Sequence, residues 1–313
     1  MRCVKTLAVI WILGWLSGAA IAQPDPARTN APPQSIQQWL NDNVDPDVLQ
    51  SLDQIDLGAI QDFFTNLQQS FEGTNIYDLG SLKTVAVKVL PVLDQYEETE
   101  PYAAWLRAHL DDFGAANEMQ REMKAVSTNS AATTVLRAPT LKFQRSVWKR
   151  ELAGKPWPPL AKAYVPKLKR IFLSEKVPPA LIWVAGVESS FDPRARSPAG
   201  AAGMFQLMPA TARREDLSLW PFDQRYQPDK SAHAAARYLR DLYNHYGDWK
   251  LALAAYNAGE GRVDKLLKEH RANSFEGIAQ WLPVETQMYV PKIEATVRQR
   301  EGFALEDLKA PVG

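Results

Sequence analysis

Val177-Pro-Pro-Ala-Leu-Ile-Trp-Val-Ala-Gly-Val187 runs directly into Glu188-Ser-Ser-Phe-Asp-Pro193, and the reading of this stretch decides the fold. A helix apolar on most of its sides belongs in a core. Pro178-Pro179 suits its first turn, where a missing N–H costs nothing, and Asp192-Pro193 closes the element. Glu188 then falls in the last turn, beside Val187 and near Phe191. A carboxylate placed there is disfavoured by desolvation and by the negative end of the helix dipole. Both effects keep the proton on, the condition a general acid needs near neutral pH. A lone Glu at a helix end usually faces water, so its neighbours have to carry the argument.

Working outward, apolar residues recur at helical spacing on both sides. Ile36, Leu40, Val48, Leu49, Leu52, Ile60, Phe63, Phe64 and Leu67 step mostly by threes and fours, and a longer pattern runs through Leu82, Val85, Val87, Leu90 and Leu93. Tyr102, Trp105, Leu106 and Leu110 follow Glu100-Pro101. No stretch alternates cleanly enough for a sheet, and no repeat of 20–50 residues is visible. The fold class predicted is all-α. Downstream, a helix beginning near Asp229 ends at Gly247. Asp248 caps the next, which stops at Asn257-Ala258-Gly259, and Glu260 begins another.

The division predicted is a signal peptide over 1–22, a proline-rich linker over 23–34 and a helical region over 35–125. A Ser/Thr/Ala-rich connector over 126–139, a second helical domain over 140–302 and a tail over 303–313 complete it. Arg2 and Lys5 precede the apolar run Leu7 to Leu16, and Ala20-Ile-Ala22 supplies the small-x-small cleavage pattern. The run is short for a membrane span, which needs about 20 residues. Ala19 stands where a lipoprotein would carry its cysteine. A soluble mature protein outside the cytoplasm is expected, with no stable membrane anchor.

Composition excludes several classes. The 313 residues carry 36 Lys+Arg against 36 Asp+Glu, a net charge of zero, so no basic face invites nucleic acid. The single cysteine, Cys3, lies in the signal, which leaves neither disulfide nor thiolate metal site. His109, His233, His245 and His270 lack ligand spacing, and no calcium loop is present. No metal and no cofactor are expected.

After Glu188 come Ser197-Pro-Ala-Gly-Ala-Ala-Gly203-Met-Phe-Gln206-Leu-Met-Pro-Ala-Thr211, where small residues let backbone approach a ligand. Ser197 and Gln206 suit sugar hydroxyls and acetamido groups. Met204, Phe205 and Met208 offer apolar faces to pyranose rings. The ordered set Glu188-Ser189, Gly203-Met-Phe-Gln-Leu-Met-Pro-Ala-Thr-Ala212, Ala255-Tyr-Asn-Ala-Gly259 and Leu282-Pro-Val-Glu-Thr-Gln-Met-Tyr-Val290 resembles the SLT domain of lytic transglycosylases, a goose-type-lysozyme-like fold. The likeness extends over roughly Trp157 to Arg300. It is nearest the membrane-bound lytic transglycosylase D type, without the lipobox or LysM repeats, so neither of those attachments is carried over.

That resemblance implies a periplasmic enzyme acting on peptidoglycan glycan strands. Glu188 would serve as both acid and base, cutting the N-acetylmuramic acid to N-acetylglucosamine β-1,4 bond and leaving a 1,6-anhydro end. It also implies substrate-binding roles for Ser197, Met204, Gln206, Tyr256, Asn257, Glu285 and Tyr289, with Tyr256 and Tyr289 hydrogen-bonding near the acid. From the residues alone, Tyr256 reads as core and Asn257 as a left-handed helix end. Ordinary glycosidases use two carboxyls; Asp192, Glu260 and Glu285 are the candidates, the first two read as helix-end residues. A hydrolytic muramidase of the same fold and a non-catalytic peptidoglycan-binding protein are the alternatives. The region 35–125 has no chemical motif. Trp39, Tyr96, Tyr102 and Trp105 read as core before sugar platform. Packing on the catalytic domain, shaping its cleft or docking a cell-wall machinery partner are its three open roles.

Overall fold

The computed structural model describes residues 57–94, 97, 99–127 and 139–311. The signal, the linker, Trp39, Tyr96 and most of the connector lie outside the described residues. Among the described residues the fold is helical, with no strand and two isolated bridges, Arg196 to Ala202 and Ala202 to Leu207. The all-α class is as expected.

We number the described α-helices in chain order. α1 (Leu57–Glu72), α2 (Ile76–Gly80), α3 (Lys83–Leu93) and α4 (Glu100–Ser127) form the first region. α5 (Leu141–Leu152), α6 (Ala161–Ser174), α7 (Trp183–Ser189) and α8 (Pro209–Arg214) follow, then α9 (Pro228–Tyr246) and α10 (Trp249–Ala258). α11 (Glu260–His270), α12 (Phe275–Ile278) and α13 (Val284–Glu301) complete the order. Local signals place many ends. Gly247 takes φ 67° after α9, Asp248 accepts from the Leu251 N–H at 2.8 Å to cap α10, and Gly259 takes φ 88° after it.

The apolar stretch around the acid forms less helix than its pattern predicts. Pro179–Ile182 is a 3₁₀ turn and α7 ends at Ser189, ahead of Asp192-Pro193. Ser190 and Phe191 both adopt left-handed φ, 54° and 66°, and the Phe191 N–H reaches back to the Ala185 carbonyl at 3.1 Å. Burial of Phe191, which meets Trp183 edge-on at 5.5 Å, offsets the cost of that backbone.

Two hydrophobic cores result. One gathers Phe64, Leu67, Phe113, Met119 and their neighbours with Val147, Trp148 and Leu152 of α5. The helix α5 therefore shares the core of the first region, although chain order groups it with the second. The other core surrounds α7 and α10. α13 serves both: Val284 and Met288 pack in the first, Tyr289, Val290 and Ile293 in the second.

Candidate active site

Glu188 is 8% exposed in the last turn of α7 and lines an open cleft of about 200 Å³. Burial pushes its carboxyl up to about 8, partly opposed by a hydrogen bond from the Tyr289 hydroxyl to Oε1 at 2.6 Å. The negative charge of Glu285 adds to the rise. Ser189, next to the acid, donates to the Met204 carbonyl at 2.8 Å and so ties α7 to the following loop.

That loop is held by a tight turn. Gly203 has φ 79°, and a Cβ there would stand 1.9 Å from the Arg225 carbonyl oxygen, so only glycine fits. The Arg225 guanidinium holds the carbonyls of Gly200 and Leu207, both at 2.9 Å. Gln206, with φ 46°, turns its amide inward, and Nε2 donates to Ala195 O and Gly203 O at 3.0 and 2.8 Å. Those two donations fix the amide's orientation. Oε1 is left buried with no partner among the described residues, on a side chain that lines the cleft.

Ser197 also lines the cleft, and its Oγ accepts from the Ala201 N–H at 3.0 Å. Tyr256 lines it too, but its hydroxyl donates to the Phe205 carbonyl at 2.7 Å, so it supports the loop instead of bonding the acid. Asn257 remains within α10. Its amide donates to Glu285 Oε1 at 3.1 Å, and its oxygen accepts from Thr286 at 2.6 Å. Glu285 lies in the first turn of α13, and burial pushes its carboxyl up to about 7. The bond from Asn257 opposes that rise, while the charges of Asp112 and Glu72 reinforce it.

Met204 is a correction. It is fully buried in the second core, as is Phe205, whose ring stacks on Phe172 at 5.7 Å. The tight turn through Gly203 points both side chains away from the cleft, and Met208, 43% exposed, is the methionine that lines it.

Two groups escaped the sequence reading. Lys292, one turn beyond Tyr289, is 4% exposed and pairs with Asp112 of α4 at 2.9 Å, over the Trp148 ring. The cleft is also lined by Phe64, Leu67, Gln68, Phe71 and Glu72 of α1 and by Trp105 of α4. The 64, 67, 68, 71, 72 spacing marks one helix face and could have suggested a buried stripe, but nothing local says what it packs on. Trp105 and Tyr102 are 7% and 5% exposed, close to the core reading.

Comparison with known proteins shows what the central part of the chain is similar to. Residues 173–278 match the family model described as the transglycosylase SLT domain. The match covers about a third of the chain. The match contains Glu188, Ser197, Gln206, Tyr256 and Asn257. The chain is 41% identical over 124 residues to membrane-bound lytic murein transglycosylase D of Escherichia coli strain K12, covering 38% of this chain and 27% of that protein. It is 31% identical over 158 residues to the soluble lytic murein transglycosylase of the same strain, covering 46% and 24%. The chain thus spans about a quarter of the length of these curated relatives. Among solved structures, lytic transglycosylase Slt from Pseudomonas aeruginosa aligns over 88% of this chain and 50% of that one, at 20% identity and a TM-score of 0.40.

Proposed function

We propose that this chain is a periplasmic lytic transglycosylase that cleaves the β-1,4 bond between N-acetylmuramic acid and N-acetylglucosamine, leaving 1,6-anhydromuramic acid ends. The observation that carries the reading is Glu188, a buried carboxyl raised to about 8 that opens into the cleft of an SLT domain. Such a group holds its proton at neutral pH and can deliver it to the glycosidic oxygen. The resulting carboxylate then takes the proton from the muramoyl C6 hydroxyl as that oxygen closes on C1. The enzyme ends the cycle as it began, with no water consumed. Tyr289 orients the carboxyl and stabilises its ionised form midway. The unpartnered Gln206 Oε1 suits an acetamido N–H of the sugar.

Glu285 favours one second reading. A further carboxyl lining the same cleft, close enough in charge to raise Glu188, is what a water-using muramidase of this fold requires. Digestion of purified peptidoglycan, with products read by mass spectrometry, separates the two. Anhydro ends from the wild type and none from Glu188→Gln support the transglycosylase. Reducing ends transfer the assignment to the muramidase, and no products from the wild type leave a peptidoglycan-binding protein.

A further inference from the structure

The SLT motifs account for only part of the cleft; the rest comes from α1 and α4, outside the matched residues. Along α1, Phe64, Leu67 and Phe71 are buried, while Gln68 and Glu72 on the same face are exposed and joined by a 3.0 Å hydrogen bond. Phe71 lies against Trp105, His109 and Phe113 of α4 at 6.3, 6.0 and 6.5 Å between rings, which fixes the helix sideways. Its C-terminal end is fixed along α13, where the Val284 N–H donates to Gly73 O at 2.7 Å and Gln287 Nε2 to Thr74 O at 3.2 Å. The wall is therefore held beside the start of α13 by one backbone and one side-chain hydrogen bond, and the charge of Glu72 is felt at Glu285.

An amide beside a carboxylate, above a floor of Phe64, Leu67 and Trp105, suits a ligand with adjacent hydroxyls and one small apolar group. An N-acetylated pyranose has both. We propose that α1 forms a sugar subsite of this cleft, taking an N-acetylhexosamine unit with hydroxyls on Gln68 and Glu72 and its acetamido methyl on the apolar floor. The subsite rests on the glycan reading of the cleft, and it gives the region before the SLT domain a role in substrate choice.

Binding without cleavage tests it. The Glu188→Gln chain is titrated calorimetrically with chitotetraose and, separately, with cellotetraose, which lacks the acetamido groups. Chitotetraose is expected to bind more tightly. Adding Gln68→Ala and Glu72→Ala together should weaken it about tenfold, the effect of losing one or two hydrogen bonds to a charged or amide partner. Gln69→Ala, on an exposed position of α1 away from the cleft, should leave it unchanged. Equal binding of the two sugars, no binding of chitotetraose by Glu188→Gln, or an unweakened double variant would each overturn the subsite. An inactive wild type that still binds in this pattern supports the subsite and sinks the reaction. An active wild type whose binding ignores Gln68 and Glu72 does the reverse.

Discussion

Tyr289 donates its phenolic proton to Glu188 across 101 positions of sequence, at 2.6 Å, from α13, a helix that packs in both cores. The bond favours the ionised acid while burial favours the protonated one, and burial is the larger effect. Removing the phenol therefore raises the acid further. Tyr289→Phe should lose about 10- to 100-fold in turnover, and its activity should persist to higher pH than that of the wild type. A pH–rate profile on soluble glycan strands reads both effects; an alkaline limb that stays put would argue against the assignment.

If Glu188 is the acid proposed above, wild-type activity should fall as pH rises through about 8, where its carboxyl loses the proton. The same raised carboxyl has a thermodynamic signature. The folded chain holds a proton that the unfolded chain releases above about pH 4.5, so stability declines between that pH and about 8. Glu188→Gln removes the effect and keeps an acceptor for Tyr289. Its melting temperature should match the wild type near pH 4 and exceed it by several degrees at pH 8.5, corresponding to about 2–5 kcal/mol. A constant difference across pH would contradict the buried, protonated acid.

Asp112→Asn leaves the Lys292 ammonium buried without a counter-charge, at a cost of about 3–5 kcal/mol in urea unfolding. Asp112 also helps to hold Glu188 up and Lys292 to hold it down, so the variant's alkaline limb should move to lower pH. Asp112→Leu with Lys292→Met should recover most of the stability, which the single variants do not.

Gly203→Ala meets both a left-handed φ and the Arg225 carbonyl 1.9 Å from the new carbon. A loss of at least about 3 kcal/mol is expected, together with reduced activity as Gln206 shifts. A fully stable Gly203→Ala protein would mean that the turn is looser than it looks.

Much of the site was legible because its signals are local. Glu188 at the end of an apolar helix, the cap at Asp248 and the turn at Gly259 need only their neighbours to be read. Met204 misled because the Ala202 to Leu207 turn, closed by paired backbone bonds, decides which methionine faces the cleft; that depends on Arg225, twenty-one positions away. The wall from α1 and the Lys292 to Asp112 pair were invisible for a related reason. Lys292 to Asp112 and Gln287 to Thr74 join residues 180 or more positions apart, and no periodicity in either segment names its partner.

The two-core position of α13 sets where this molecule can be cut. The SLT match stops at residue 278, six positions before the helix begins. A fragment trimmed to the motif would keep the acid and lose the phenol that aims it, Glu285 and Lys292. A fragment that kept α13 but dropped the first region would expose Val284 and Met288 and strand Lys292 without Asp112. The smallest piece able to reproduce this chemistry is therefore far larger than the motif that identifies it, and domain-swapping or minimisation should respect the helix as its seam.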